Sequence, residues 1–167
     1  MGLSRRTLLL GASSMLLASC SSYSFRQSTR VPALTREIII ARVNEVRAAH
    51  GRRDWTYNLA LAQAARSQAH LMADEDTLSH NLGVTLRERV KDAGYDGVVG
   101  ENVAFGFGTL EEVLEGWLGS SGHRFTLLND RFSEFGFSYK TGKAGKVYWA
   151  LIAGGSYSLW ATGNAET

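Results

Sequence analysis

The chain has 167 residues, 44% apolar and 20% charged, enough for one domain with a sizeable core and typical of a globular composition. A single cysteine excludes an intrachain disulfide, and Pro32 is the only proline. The formal net charge of +2 and the basic isoelectric point do not argue for nucleic acid: Arg5 and Arg6 sit in an N-terminal leader, and without them sixteen basic residues face sixteen acidic ones.

That leader, residues 1–19, pairs the two arginines with an apolar run from Leu8 to Ala18. The run is too short to span a bilayer as a stable helix and has the layout of a secretory signal. Ser4-Arg5-Arg6 followed by Leu8 and Leu9 resembles a twin-arginine export signal. Leu17-Ala18-Ser19-Cys20 resembles a bacterial lipobox, in which the cysteine is lipidated and becomes the first residue, so Cys20 is the expected lipidation site. Ser21 is not an inner-membrane retention acid, so the expected location is a periplasmic or cell-surface lipoprotein, in the outer membrane where there is one. Residues 20–33 are polar and weakly patterned and read as a flexible tether. The domain is expected over 34–167.

Residues 34–51 predict a helix with Thr35 as N-cap, Ile39, Val43 and Val46 on one face and Gly51 as the stop. An alanine-rich second helix starts after Asn58. "TLRERVKDAGY" predicts a shorter third, ending at Gly94. "TLEEVLEGWLGSSG" predicts a fourth, with Thr109 as cap and Glu111 and Glu112 where the helix dipole favours acids. The C-terminal part changes period: "FGFSYK", "KVYWALIA" and "SYSLW" are aromatic and β-branched and predict strands, the first two joined by a hairpin turn at "TGKAGK". The pattern is α+β, about four helices packed on a small antiparallel sheet of about three strands. Trp117, Phe125, Phe135 and Trp149 read as core.

"GENVAFGFG", residues 100–108, reads as a strand entering the core, yet it carries Glu101 and Asn102. A buried carboxylate is costly without a partner. Of the four histidines, His50 reads as a helix cap and His70 as structural, while His80 and His123 each follow a helix in a polar loop. Two histidines and one carboxylate suit a divalent metal, an acid/base pair or a closed polar network, and their spacing does not decide among them. There is no H-E-x-x-H, G-x-S-x-G, phosphate loop or CxxC.

Ser79-His80, "GENVA" at 100–104, Trp117, "SSGHRFTLLN" at 120–129 and "FSEFGFSY" at 132–139 follow in order, after "ARVNEVRAAHG" and "LAQAARSQAHLMA". Together they resemble the CAP superfamily, the cysteine-rich secretory, antigen 5 and pathogenesis-related 1 group, in its short bacterial branch, over about residues 35–154. The resemblance implies an α-β-α sandwich with a cleft of two histidines and two acids that binds zinc or another divalent cation in some members. It assigns His80, Glu101 and His123 to that cleft as metal-binding residues. Asn102, Ser120 and Arg124 are read as supporting it: Asn102 as an amide that orients the loop through backbone hydrogen bonds, with a local turn-forming role preferred, and Arg124 either as forking onto a carboxylate or carbonyl near the site or, equally, as a surface residue. The second acid of the family, three residues after the tryptophan, is here Ser120. Three functions stay open: a lipid-anchored envelope binding module for a cation and a lipid, glycan or protein ligand; a metal-dependent hydrolase with Glu101 as base; and a structural interaction protein without catalysis. Catalytic residues are not assigned, and binding is favoured over catalysis.

Overall fold

The computed structural model describes residues 34–161. The leader, Cys20 and the tether lie outside them. The first helix, α1 (Arg36–Ala49), starts where the Thr35 side chain accepts the Ile38 amide and buries Ile39, Val43 and Arg47. β1 (Thr56–Tyr57) leads into α2 (Leu59–Asp74), whose cap Asn58 accepts from the amides of Ala60 and Leu61. α3 (Leu86–Asp92) and α4 (Leu110–Gly119) each open on a full capping box, Thr85 with Glu88 and Thr109 with Glu112. Between them runs β2 (Val98–Phe105); α5 (Ser121–Leu128) follows α4, and the hairpin β3 (Glu134–Thr141) and β4 (Val147–Gly155) closes the sheet. Gly145 takes the positive φ, +78°, that the hairpin turn requires.

The sheet order is β1-β3-β4-β2. β4 pairs antiparallel with both neighbours, while the two-residue β1 runs parallel to β3, so the sheet is mixed and has one strand more than expected. So short a strand leaves no alternation to read. All nine residues of β4 are buried. Trp149, Leu151 and Ala153 join a core with α1, α4 and α5; Tyr148, Ala150 and Ile152 join a second core with α2 and α3. A strand with helices on both faces is the α-β-α sandwich, within the α+β class. None of the described helices is long and apolar enough to cross a membrane.

Three expectations are corrected. "SYSLW" is not a strand: Tyr157–Ala161 is a short helix, α6, whose Trp160 ring packs 5.3 Å from that of Phe132. β2 already holds the place beside β4, and a five-residue run has no period that separates strand from helix. Residues 121–128 form α5 rather than a loop, so His123 is helical. Phe125 is 63% exposed, because α5 buries Thr126, Leu127 and Leu128 instead. Trp117, Phe135 and Trp149 are in the core as expected.

The alanines of α2 let its backbone rest directly on the sheet. A Cβ at Gly136 of β3 would collide with the Ala62 nitrogen and the Leu61 carbonyl carbon, backbone atoms that only movement of the helix could clear. Gly136→Ala is therefore expected to lose more than about 3 kcal/mol in urea unfolding. Gly119→Ala, at the open end of α4 with no atom within 4 Å of the new methyl, should be neutral or stabilised by up to about 1 kcal/mol.

Candidate functional site

β2 is the edge strand beside β4, and its alternation turns Glu101 and Asn102 to opposite faces. Glu101 faces the α2–α3 layer with Val103, and Asn102 faces the α5 layer with Ala104.

The Glu101 side chain is 2% exposed. Its Oε2 accepts from Nη2 of Arg89 at 2.6 Å, and that arginine is itself 1% exposed. Its Oε1 accepts from Nδ1 of His80 at 2.8 Å. A carboxylate can only accept here, so Nδ1 of His80 carries the proton and Nε2 is the ring's remaining nitrogen. The imidazole stays 58% exposed, so a buried carboxylate fixes a ring that faces solvent. The hydrogen bond to Glu101 raises the His80 pKa above its ordinary value, and partial burial opposes it.

The loop carrying His80 is pinned by its main chain as well. Arg89 Nη1 donates to the carbonyls of Val84 at 2.7 Å and His80 at 3.3 Å. Gln68, buried on α2, donates to the Ser79 carbonyl. Ser79 Oγ in turn donates to the Asn81 carbonyl at 2.8 Å and accepts the Asn81 amide at 3.0 Å.

His123 arrives from the other layer. Asn102, fully buried in β2, donates from Nδ2 to the His123 carbonyl at 2.9 Å, a bond between layers rather than within a local turn. The far end of α5 is held by Arg47, whose Nη1 donates to the Leu127 carbonyl at 2.6 Å while its guanidinium stacks on Trp55 at 3.9 Å. Burial pushes the Arg47 pKa down to about 10. Half-buried His123 has a lowered pKa, first from desolvation and then from the charge of His80.

Ser120 is both the last cap of α4 and the first of α5; its side chain makes no capping bond, but its carbonyl accepts the Arg124 amide at 2.7 Å. Arg124 does not fork onto a carboxylate of the cleft. It lies on the outer side of α5, in a separate groove. The pairing of His80 with Glu101 is brought together as the motifs implied. Arg89 and Gln68 were missed: Arg89 neighbours Val90 on a short amphipathic helix, where an arginine has the sequence signature of a solvated one.

Both Glu101 oxygens are engaged, so this carboxylate is a support for His80 rather than a free metal ligand. Among the described residues, no three His, Cys, Asp or Glu side chains converge to hold a metal ion. Two imidazoles remain as donors, which does not fit a resident metal cofactor with three protein ligands.

The sequence model of CAP, the cysteine-rich secretory protein family, matches residues 40–152. Two curated Bacillus subtilis proteins are similar: the uncharacterized protein YkwD, 29% identical over 104 residues covering 60% of this chain and 40% of that one, and the uncharacterized membrane protein YlbC, 27% identical over 111 residues covering 64% and 32%. The matched region thus spans well under half the length of either relative. Among solved structures, an outer surface protein from Borrelia burgdorferi superposes with a TM-score of 0.65 at 22% identity, covering 72% of this chain and 91% of that one. An extracellular protein with an SCP domain from Bacillus anthracis also gives 0.65, at 24% identity, covering 75% and 45%. At these identities the structures establish the fold.

Two outcomes follow from the geometry. Arg89→Met strands the Glu101 charge and is expected to lose about 3–5 kcal/mol in urea unfolding, whereas Arg89→Met with Glu101→Leu recovers most of that loss. His80→Ala should cost most below pH 6.5, where the contribution of a histidine with a raised folded pKa is fully present, and least once the pH has risen through that raised value. Thermal unfolding of both chains from pH 5 to 9 measures the gap; a gap that widens with rising pH would show that the Glu101 pairing is not formed in solution.

Proposed function

The chain belongs to the CAP family of cysteine-rich secretory proteins, and from that premise we propose that it is an extracytoplasmic binding domain, lipid-anchored at Cys20, that takes its ligand between the imidazoles of His80 and His123. The observation that carries this reading is the fixed, solvent-facing ring of His80, held at Nδ1 by a carboxylate that is almost wholly buried. A carboxylate behind a histidine sets its tautomer and strengthens the other nitrogen as an electron-pair donor. The residues suit a divalent cation such as zinc as a reversible ligand, with water completing its shell, better than a resident cofactor. Binding is favoured over hydrolysis, because Glu101, the candidate base, already gives both oxygens to Arg89 and His80.

The envelope location rests on the leader, on the lipobox-like Leu17-Ala18-Ser19-Cys20, and on relatives described as outer-surface, extracellular or membrane proteins. Ser21 favours the outer membrane where there is one. Beside the cation, the cleft's proposed ligand is a lipid, glycan or protein of the envelope. Nucleic acid is not expected, because the chain without its leader carries balanced charge.

Zinc titration by calorimetry of the full chain in neutral detergent tests the reading. Roughly one equivalent should bind, and His80→Ala and His123→Ala should each abolish it, both being tolerated by the fold because neither ring is in the core. Binding that survives either substitution, or no binding by the folded wild type, would remove the two-imidazole site.

A further inference from the structure

The margin of the sheet opposite β2 and the His80 site is only partly closed. β1 pairs with β3 at Glu134 and Phe135, and the chain then turns into α2, so no strand lies beside β3 from Phe137 to Thr141. The Phe135 carbonyl accepts the Asn58 amide on this margin, while the Gly142 amide donates to the Lys146 carbonyl on the β4 side. Alternate residues of a strand direct their main-chain groups to the same side, so those of Phe137, Tyr139 and Thr141 point outward. The Tyr57 hydroxyl donates to the Phe137 carbonyl at 3.3 Å. Tyr139 and Thr141 have no main-chain partner on that side among the described residues.

A groove of about 400 Å³ runs beside this free edge. Phe137 and Ser138 form its β3 side, and Arg36 of α1, Arg66 of α2 and Leu59, 64% exposed, line it as well. No acidic residue lines it. Arg36 lies over the Tyr57 ring at 5.6 Å, and among the described residues neither arginine is in an ion pair or hydrogen bond. Glu37, next to Arg36 in the chain, is hydrogen-bonded to Thr35 at the start of α1. Further along the edge, desolvation lowers the His70 pKa, and the charges of Lys140 and Arg66 lower it further against the opposing charge of Asp74.

Free β-edges are ordinarily blunted by charge against chance pairing. Charge of one sign also selects among partners. A second copy of β3 would bring two sets of Arg36 and Arg66 together. Residues 20–33 of this chain hold Arg26 and Arg30 and no acid, so they are repelled too. We propose that the free edge of β3 takes an extended, acidic segment of a partner protein as an added strand. The main-chain groups of Tyr139 and Thr141 supply pairing that is indifferent to side-chain identity, and the arginines supply the selection. Side chains of an added strand alternate between faces, so one set turns to α2 and Arg66 and the other to α1 and Arg36. The edge from Phe137 to Thr141 admits a segment of about five residues, about 17 Å long. It lies across the sheet from β2, so the proposal is independent of the His80–His123 reading.

The test is a titration of the full chain in neutral detergent, followed through its backbone amide resonances. The probe is a short blocked peptide of threonine and glutamate with glutamates on both faces. Saturable shifts and slowed hydrogen exchange are expected at the Tyr139 and Thr141 amides. The same peptide with lysine for glutamate, or fully N-methylated so that it cannot donate to a ladder, should bind at least about tenfold more weakly. Arg36→Gln combined with Arg66→Gln should weaken the glutamate peptide by about tenfold or more. Both arginines are exposed, so the double variant keeps the fold. The proposal is overturned if the glutamate peptide leaves both amides unmoved, if the lysine or N-methylated peptide binds as well, or if the double variant binds like the wild type. It is overturned equally if those amides are protected without peptide. Protection at every protein concentration would mean that a segment of this chain holds the edge, and protection only at high concentration that a second copy does.

Discussion

The pairing of Glu101 with Arg89 is the constraint on which the site rests. A carboxylate on the buried face of a sheet is unfavourable unless a cation reaches it and the cation's own donors are also satisfied. Arg89 meets most of that requirement by giving one nitrogen to Glu101 and another to the carbonyls of Val84 and His80. Charge neutralisation and loop placement are thus one event. The capping box of Thr85 and Glu88 belongs to the same solution, because it fixes where α3 begins and hence which turn presents Arg89.

The second organising fact is the pleat of β2. Glu101 and Asn102 are consecutive, so they serve opposite layers, and each positions one histidine: Glu101 through the ring of His80, Asn102 through the main chain of His123. A slip of one residue in the pairing of β2 with β4 would exchange the two faces, placing the carboxylate under α5 and the amide under α3. The core on both sides of β4 guards against that slip, since the same slip would turn Val103 and Ala104 to the wrong helices.

Much of this was legible in the residues. Thr35, Asn58 and Thr109 announce helix starts because a side-chain oxygen beside an unpaired amide is a local interaction, complete within four residues. The motif resemblance supplied the meeting of His80 with Glu101. What could not be read depends on tertiary context. Arg89 looks like any solvated helix arginine until the fold brings a buried carboxylate against it. Ser120 ends one helix and begins the next with no residue between, so "SSGHRF" carries loop composition over helical geometry. Phe125 has a core residue's chemistry, yet the next three residues take the buried positions of α5 and leave it outside.

The two histidines reach β2 from different layers, His80 from the loop between α2 and α3 and His123 from α5. Any ligand that touches both would therefore link the two layers on either side of the sheet. Its binding free energy would be added to whole-molecule cohesion rather than to the order of one loop, rising with the logarithm of ligand concentration above its dissociation constant. Occupancy would then raise the resistance of the domain to proteolysis wherever cleavage requires the two layers to separate.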